Sequence, residues 1–344
     1  MNLTTPYMGL LLHSPLVASA SPLTSELPKL LALQDAGAGA VVLPSLFAEQ
    51  LEAQARRDEA LSGAGAHNSP EAASYLPAPA RHQLQAVQYI DLVRDASRQL
   101  AIPVIASLNG ASVGSWVNYA RQLEDAGAAA LELNMYFVAA DLSLDGRAVE
   151  QRYLDIVAAV RQRVRIPLAV KLSPYFSAPG HFAIELAGAG ADALVLFNRF
   201  YQPDIDTVRL KIRKQLELSH PSEMRLPLLW IAILHGRINA SLAASTGVHS
   251  ADDVVQYLLA GADVVMTTSA LLEHGVGHMR TLVDGLKQWL AQRDMDDLTR
   301  MRGLLAQGNC ARPEEYQRAN YIDILQGYQS TPAHNGQMPP VRHI

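Results

Sequence analysis

Four variations on one phrase and eight short apolar runs, spread along 344 residues, predict an α/β protein of the (β/α)8 barrel type. The phrase occurs as LQDAGAGAVVLPS (33–45), LEDAGAAALELNM (123–135), LAGAGADALVLFN (186–198) and LLAGADVVMTTS (258–269). Each copy reads as the end of an amphipathic helix, a glycine turn and a short strand. Gly37, Gly127, Gly190 and Gly261 stand where a helix C-cap favours glycine. The strands are continuous apolar runs, as expected for parallel strands buried on both faces.

In chain order, PLVASA (15–20) opens the barrel and the copy at 33–45 supplies the second strand. Residues 48–82 are a long polar insertion, and IPVIASLNG (102–110) returns to the strand pattern. The remaining strands lie near 130–134, 168–172, 193–197, 241–245 and 263–267, after earlier ones near 16–20, 40–44 and 103–108. Helical stretches such as Ser115–Ala126, Ala148–Arg163 and Ala251–Ala260 separate them. A second insertion, 199–226, follows strand six. Insertions on this side of a barrel serve as lids, binding walls or partner surfaces. PLLWIAILHGRI (227–238) has helix length, with Pro227 suited to the first helical position. The expected organisation is a barrel over 1–292 and a polar extension over 293–344 whose end is disordered. A doubly wound open sheet is the alternative; it is disfavoured because no G-x-G-x-x-G follows the first strand.

Composition narrows the function classes. A net charge of −5 gives no electrostatic reason to expect nucleic acid. The single cysteine, Cys310, leaves no intrachain disulfide framework, cysteine zinc site or iron–sulfur cluster. The first residues lack a basic n-region and are interrupted by Pro15, so they are not read as a signal peptide. No apolar run is long enough for a membrane span, and the expected location is the cytoplasm.

In a barrel the site lies at the C-terminal ends of the strands. Those ends carry Ser19, Ser21, Ser45, Asn109, Asn134, Lys171, Asn198, Gly247, Thr268 and Ser269. The set is polar and almost uncharged, with no His, Asp and Glu cluster at metal-ligand spacing and no Ser-His-Asp pattern; His235, His274 and His278 are scattered. Lys171 closes an apolar strand. It can snorkel to solvent, act as a Schiff-base nucleophile in an aldolase-type barrel, or neutralise negative charge on a cofactor ring. Aldolase chemistry would want nearby carboxylates to move protons; three asparagines instead suit hydrogen bonds to a heteroaromatic ring. Thr246 and Gly247 form a tight turn before a helix capped by Ser250, and Thr268 and Ser269 begin another. Turns after strands seven and eight are the usual phosphate cradle of a barrel.

These positions resemble the dihydroorotate dehydrogenase family, FMN-dependent barrels, in its soluble class 1 branch. The resemblance spans roughly residues 1–290. SPLVASAS is similar to the family's first-strand motif, IPLAVKLSPYF to its lysine segment, LVLFN to its sixth-strand asparagine, and STGV and TTSALL to its phosphate loops. The resemblance implies bound FMN held by Ser19, Ser21, Ser45, Asn109, Asn134, Lys171, Asn198, Thr246, Gly247, Thr268 and Ser269, and oxidation of dihydroorotate to orotate in pyrimidine biosynthesis. Replacing Lys171 is then expected to make the flavin harder to reduce and to leave the fold intact.

Three departures stand out. Pro44 occupies the place of a family lysine, Phe137 that of the catalytic cysteine or serine, and ASYLPAPARHQ has no Asn-rich loop to grip orotate. A phenylalanine cannot remove a proton, so a changed substrate is expected, with Ser143 or Tyr136 as candidate replacement bases. The rival reading is a flavin-carrying subunit that passes electrons to a redox partner protein. A small-molecule substrate is expected in the first case, neither nucleic acid nor membrane in either, and a homodimer is compatible with the sequence.

Overall fold

The structure is a computed structural model that describes residues 1–47, 81–109, 113–199, 203–213 and 216–317. The insertion expected over 48–82 lies outside these residues apart from its last two, and so does the disordered end expected for the chain.

Eight parallel strands close a barrel. They are β3 (Leu16–Ala18), β4 (Ala40–Phe47), β5 (Val104–Asn109), β6 (Ala130–Asn134), β7 (Leu168–Leu172), β8 (Ala193–Leu196), β11 (Ser241–Ala244) and β12 (Val264–Thr267). Each matches an expected strand. Gly37, Gly127, Gly190 and Gly261 follow helices with φ of 98°, 99°, 111° and 116°, the left-handed geometry that the repeated phrase implied.

One strand departs from expectation. β4 continues to Phe47, and its register against β5 slips between Val42 and Ser45. Pro44, inside the slip, has no N–H for the ladder, and a bulge absorbs the missing bond. The extra residue brings Ser45 into register with Ser107.

The N-terminus forms a hairpin that the sequence reading missed: β1 (Thr5–Tyr7) pairs antiparallel with β2 (Leu10–Leu12). Met8 and Gly9, both at positive φ, make the two-residue turn such a hairpin needs. The hairpin packs under the barrel. The Met8 N–H donates to Ser241 Oγ (2.9 Å) and Thr5 Oγ1 to the Asp263 carbonyl (2.9 Å). Tyr7, Met8 and Leu12 fill the lower interior, packed among Ala40, Ala130, Ala169, Ala193 and Ala243 and larger apolar side chains such as Ile105 and Met266.

Helices α1 (Leu27–Asp35), α2 (Arg81–Gln99), α3 (Val113–Asp125), α4 (Gly146–Arg161), α5 (Pro179–Ala189), α6 (Arg225–Leu234), α7 (Ala251–Ala260), α8 (Ser269–His274) and α9 (His278–Ala291) follow the strands. α6 begins two residues earlier than expected, so Pro227 is its third residue; that N–H also lacks a helical partner, so the proline is tolerated. After strand six, β9 (Asp204–Asp206) and β10 (Lys211–Arg213) form a surface hairpin.

Residues 293–317 pack back on the barrel. Gly303 and Leu305 donate backbone bonds to Leu258 and Leu259, and Gln307 to Ala232. Arg302 joins this segment to the floor: Nη1 contacts Asp263 Oδ1 (3.1 Å) and Thr5 Oγ1 (2.8 Å). Burial pushes the Asp263 carboxyl upward, against the Leu242 N–H and the charges of Arg302 and His235. Arg302→Ala is expected to cost about 2 kcal/mol, the loss of hydrogen bonds to a partly buried charge, read as a lower denaturation midpoint.

Candidate active site

The barrel mouth holds a cleft of about 790 Å³, within the roughly 300–1,000 Å³ of small-molecule sites. Ser19, Ser21, Ser45, Asn109, Asn134, Lys171, Asn198, Thr246, Gly247, Thr268 and Ser269 all line it. Side-chain alternation explains why. Ile105, Ala130 and Ala169 face the barrel interior, so residues two and four further on turn the same way: Ser107 and Asn109, Glu132 and Asn134, and Lys171.

A hydrogen-bonded chain crosses four strand ends. Ser45 Oγ lies 2.8 Å from Ser107 Oγ, Asn134 Nδ2 donates to Ser45 Oγ (2.9 Å), and Asn198 Nδ2 donates to Asn134 Oδ1 (2.5 Å). The bulge at Pro44 thus aims Ser45 at this chain. Lys171 is 9% exposed, which excludes snorkelling to solvent. Its Nζ donates to Ser19 Oγ (3.4 Å) and lies 3.8 Å from Glu132 Oε1. Ser21 has a local task as well, accepting from the Leu23 N–H (3.2 Å) to cap the turn Pro22–Thr24.

At the other end, Ser219 ties the turns after β11 and β12 together. Its hydroxyl lies 2.8 Å from Ser269 Oγ and accepts from the Gly247 N–H (3.2 Å), while its own N–H donates to Ser269 Oγ (3.0 Å). Thr246, at φ 83°, holds a conformation that β-branched residues rarely adopt. It is anchored by its own bond to the Phe197 carbonyl (3.1 Å) and by Tyr257 OH donating to its carbonyl (2.8 Å). Ser250 caps α7 as expected. Thr268 Oγ1 is buried with no hydrogen-bond partner among the described residues.

Gly247 has φ 79°, and a Cβ there would stand 2.6 Å from Met224 Cγ and 2.9 Å from the His220 carbonyl. A side chain at this position would strike the turn before α6. Gly247→Ala is expected to cost about 1–3 kcal/mol from overpacking and backbone strain, measured by chemical denaturation.

The loop after β6 sorts the base candidates. Tyr136 lines the cleft. Phe137 packs against the core instead, with the Arg152 guanidinium 4.4 Å over its ring. Ser143 is exposed and lies outside the cleft lining; its hydroxyl donates to Asp141 Oδ1 (2.7 Å), which holds that carboxyl below its usual range. Its distance from the cleft follows from the loop running outward along 138–144, where every residue is exposed.

Two participants escaped the sequence reading. Ser219 comes from the strand-six insertion, and nothing in its neighbourhood marks it. Glu132 was hidden in an apolar strand, although a charge two residues before Asn134 on the inward face was a usable signal. Among the described residues no group of three or more His, Cys, Asp and Glu could hold a metal ion, and no helix is long and apolar enough to cross a membrane.

Fold and cleft define a (β/α)8 barrel with a cleft of small-molecule size, rich in polar residues, at its strand ends. The sequence profile described as dihydroorotate dehydrogenase matches residues 81–290. A protein of Aeropyrum pernix provisionally named dihydroorotate dehydrogenase A (fumarate) is 34% identical over 216 residues, covering 57% of this chain and 68% of that protein. The catalytic subunit of dihydroorotate dehydrogenase B (NAD(+)) from Desulforudis audaxviator is 30% identical over 62% of this chain and 71% of its own. Its counterpart from Thermoplasma acidophilum is 23% identical over 88% and 98%. The chain belongs to the dihydroorotate dehydrogenase family.

Proposed function

We propose that the chain is an FMN-dependent oxidoreductase whose substrate differs from dihydroorotate. The observation that carries this reading is Lys171, buried at the cleft floor beside the chain of Ser45, Asn134 and Asn198. A cation and amides at one end suit a flavin ring. The turns at Gly247 and Ser269, with a Thr268 hydroxyl that has no hydrogen-bond partner among the described residues, suit its phosphate at the other. FMN, when bound, supplies a ring that accepts hydride from a substrate C–H bond.

Each residue then has a task. Lys171 would stabilise the negative charge that the ring carries when reduced, an electrostatic role. Asn109, Asn134 and Asn198 orient the ring or the substrate. Ser19, Ser21 and Ser45 line the ring end, while Thr246, Gly247, Thr268 and Ser269 hold the phosphate. Tyr136 is the hydroxyl that the loop after β6 offers to the cleft, and it stands as the replacement acid or base. Phe137 has a packing role. The barrel over 1–292 forms the cofactor domain, and the protein acts in the cytoplasm.

The second reading, a flavin subunit that hands electrons to a partner, draws on the names of two relatives as catalytic subunits and on the exposed apolar residues Ile205, Val208, Leu210 and Ile212 at the β9–β10 hairpin. Purified protein decides between the possibilities in order. A flavin absorbance spectrum, with FMN rather than FAD released on denaturation, supports the cofactor; a colourless protein that gains no flavin on titration with FMN removes it and favours the aldolase reading of Lys171. Anaerobic bleaching by a small molecule then separates enzyme from carrier.

A further inference from the structure

The tasks above leave out Glu132, the most deeply buried acid near the cleft. It lies on β6 two residues before Asn134, in register with Ser107 on β5 and Ala169 on β7, and is fully buried. Neither carboxylate oxygen has a hydrogen-bond partner among the described residues. Buried polar groups in native proteins are nearly always satisfied, so an exception calls for a reason. The cation that meets it is Lys171, with Nζ 3.8 Å from Oε1 and side-chain exposures of 11% and 1% for the lysine and the acid.

From the barrel floor the Tyr7 hydroxyl, also buried and without a hydrogen-bond partner among the described residues, feels the same carboxylate. Its ionisation is pushed well up by burial first and by the negative charge of Glu132 next. Glu132 thus lies at ion-pair distance from the Lys171 ammonium and near enough to the Tyr7 phenol to disfavour its ionisation.

We propose that Glu132 is the counter-charge of Lys171, a positioning residue that governs how much positive charge the lysine presents to the ring of bound FMN. The proposal rests on the flavin reading of the cleft. A lone ammonium would act on the ring as a full charge. With a carboxylate at ion-pair distance on its far side, the field at the ring is closer to that of a dipole and falls off faster with distance. The pair also draws the lysine toward the floor, where Ser19 Oγ receives it. Removing either member alone leaves the other buried without compensation, whereas removing both is tolerated.

This arrangement makes a double-mutant cycle decisive. The variants are Glu132→Gln, Lys171→Met and the two combined. In flavin-free protein, the double variant is expected to melt above both single variants. In FMN-loaded protein, Glu132→Gln is expected to raise the flavin midpoint potential and Lys171→Met to lower it, opposite movements that a purely structural pair would not produce. A double variant that does not melt above both single variants overturns the pairing, and this includes the case in which none of the three folds. An unmoved or lowered potential in Glu132→Gln overturns the electrostatic role. If the unmutated protein binds no FMN, it is the flavin reading that fails, and the melting comparison still decides whether the two side chains are coupled.

Discussion

Mixed anaerobically with dihydroorotate, the FMN-loaded protein is expected to keep its flavin oxidised for minutes or longer. Typical enzymes turn over at about 1–10³ s⁻¹, and a positioned general base contributes about 10²–10⁴-fold. The family places that base three residues after the strand-end asparagine, at Phe137. Here the ring lies against the core beneath Arg152, outside the cleft lining. Phe137→Cys is therefore expected to leave the rate unchanged, because a thiol at that position points where the phenyl ring does. Stopped-flow absorbance is the measurement. Bleaching within seconds in the unmutated protein would show that Tyr136 or another group restores the family reaction.

Lys171→Ala is expected to destabilise the protein by about 3–5 kcal/mol, the cost of leaving a buried charge without its partner. The fold is still expected to form, at lower stability. The reason is Glu132, 3.8 Å away and shielded from water. The same variant should make bound flavin harder to reduce by about 1–3 kcal/mol, the worth of a hydrogen bond to a charged group. Chemical denaturation of the flavin-free protein separates the first effect from the second. An unchanged denaturation midpoint would mean that Glu132 does not depend on this cation.

The residues lining the cleft were readable because barrel strands are short, apolar and bounded by glycine caps. Once Gly37, Gly127, Gly190 and Gly261 fix the phase, the polar residue ending each run must face the mouth. Other features were unreadable for particular reasons. Ser219 reaches Gly247 and Ser269 from an insertion whose path no periodicity records. The N-terminal hairpin carries no Asn-Gly signal; Met8 takes a positive φ that its side chain does not advertise. Pro44 was legible as a departure from the family, but its bulge and the resulting Ser45–Ser107 contact depend on how β4 and β5 meet. The direction taken by Phe137 required the backbone of the loop and the position of Arg152, which no spacing rule supplies.

Among the described residues, the hairpin of Tyr7, Met8 and Leu12 closes the lower end of the barrel and leaves the cleft at the strand ends as its door. If FMN is bound there and two small molecules must occupy the same place against its ring, they cannot be present together, and the first product leaves before the second substrate arrives. Steady-state kinetics with two small molecules should then be ping-pong, with parallel double-reciprocal lines and mutual competition at high concentration. A protein acceptor that takes electrons at the threshold has no need of the door, and would not compete with the reductant. The pattern of inhibition thus reports who comes inside.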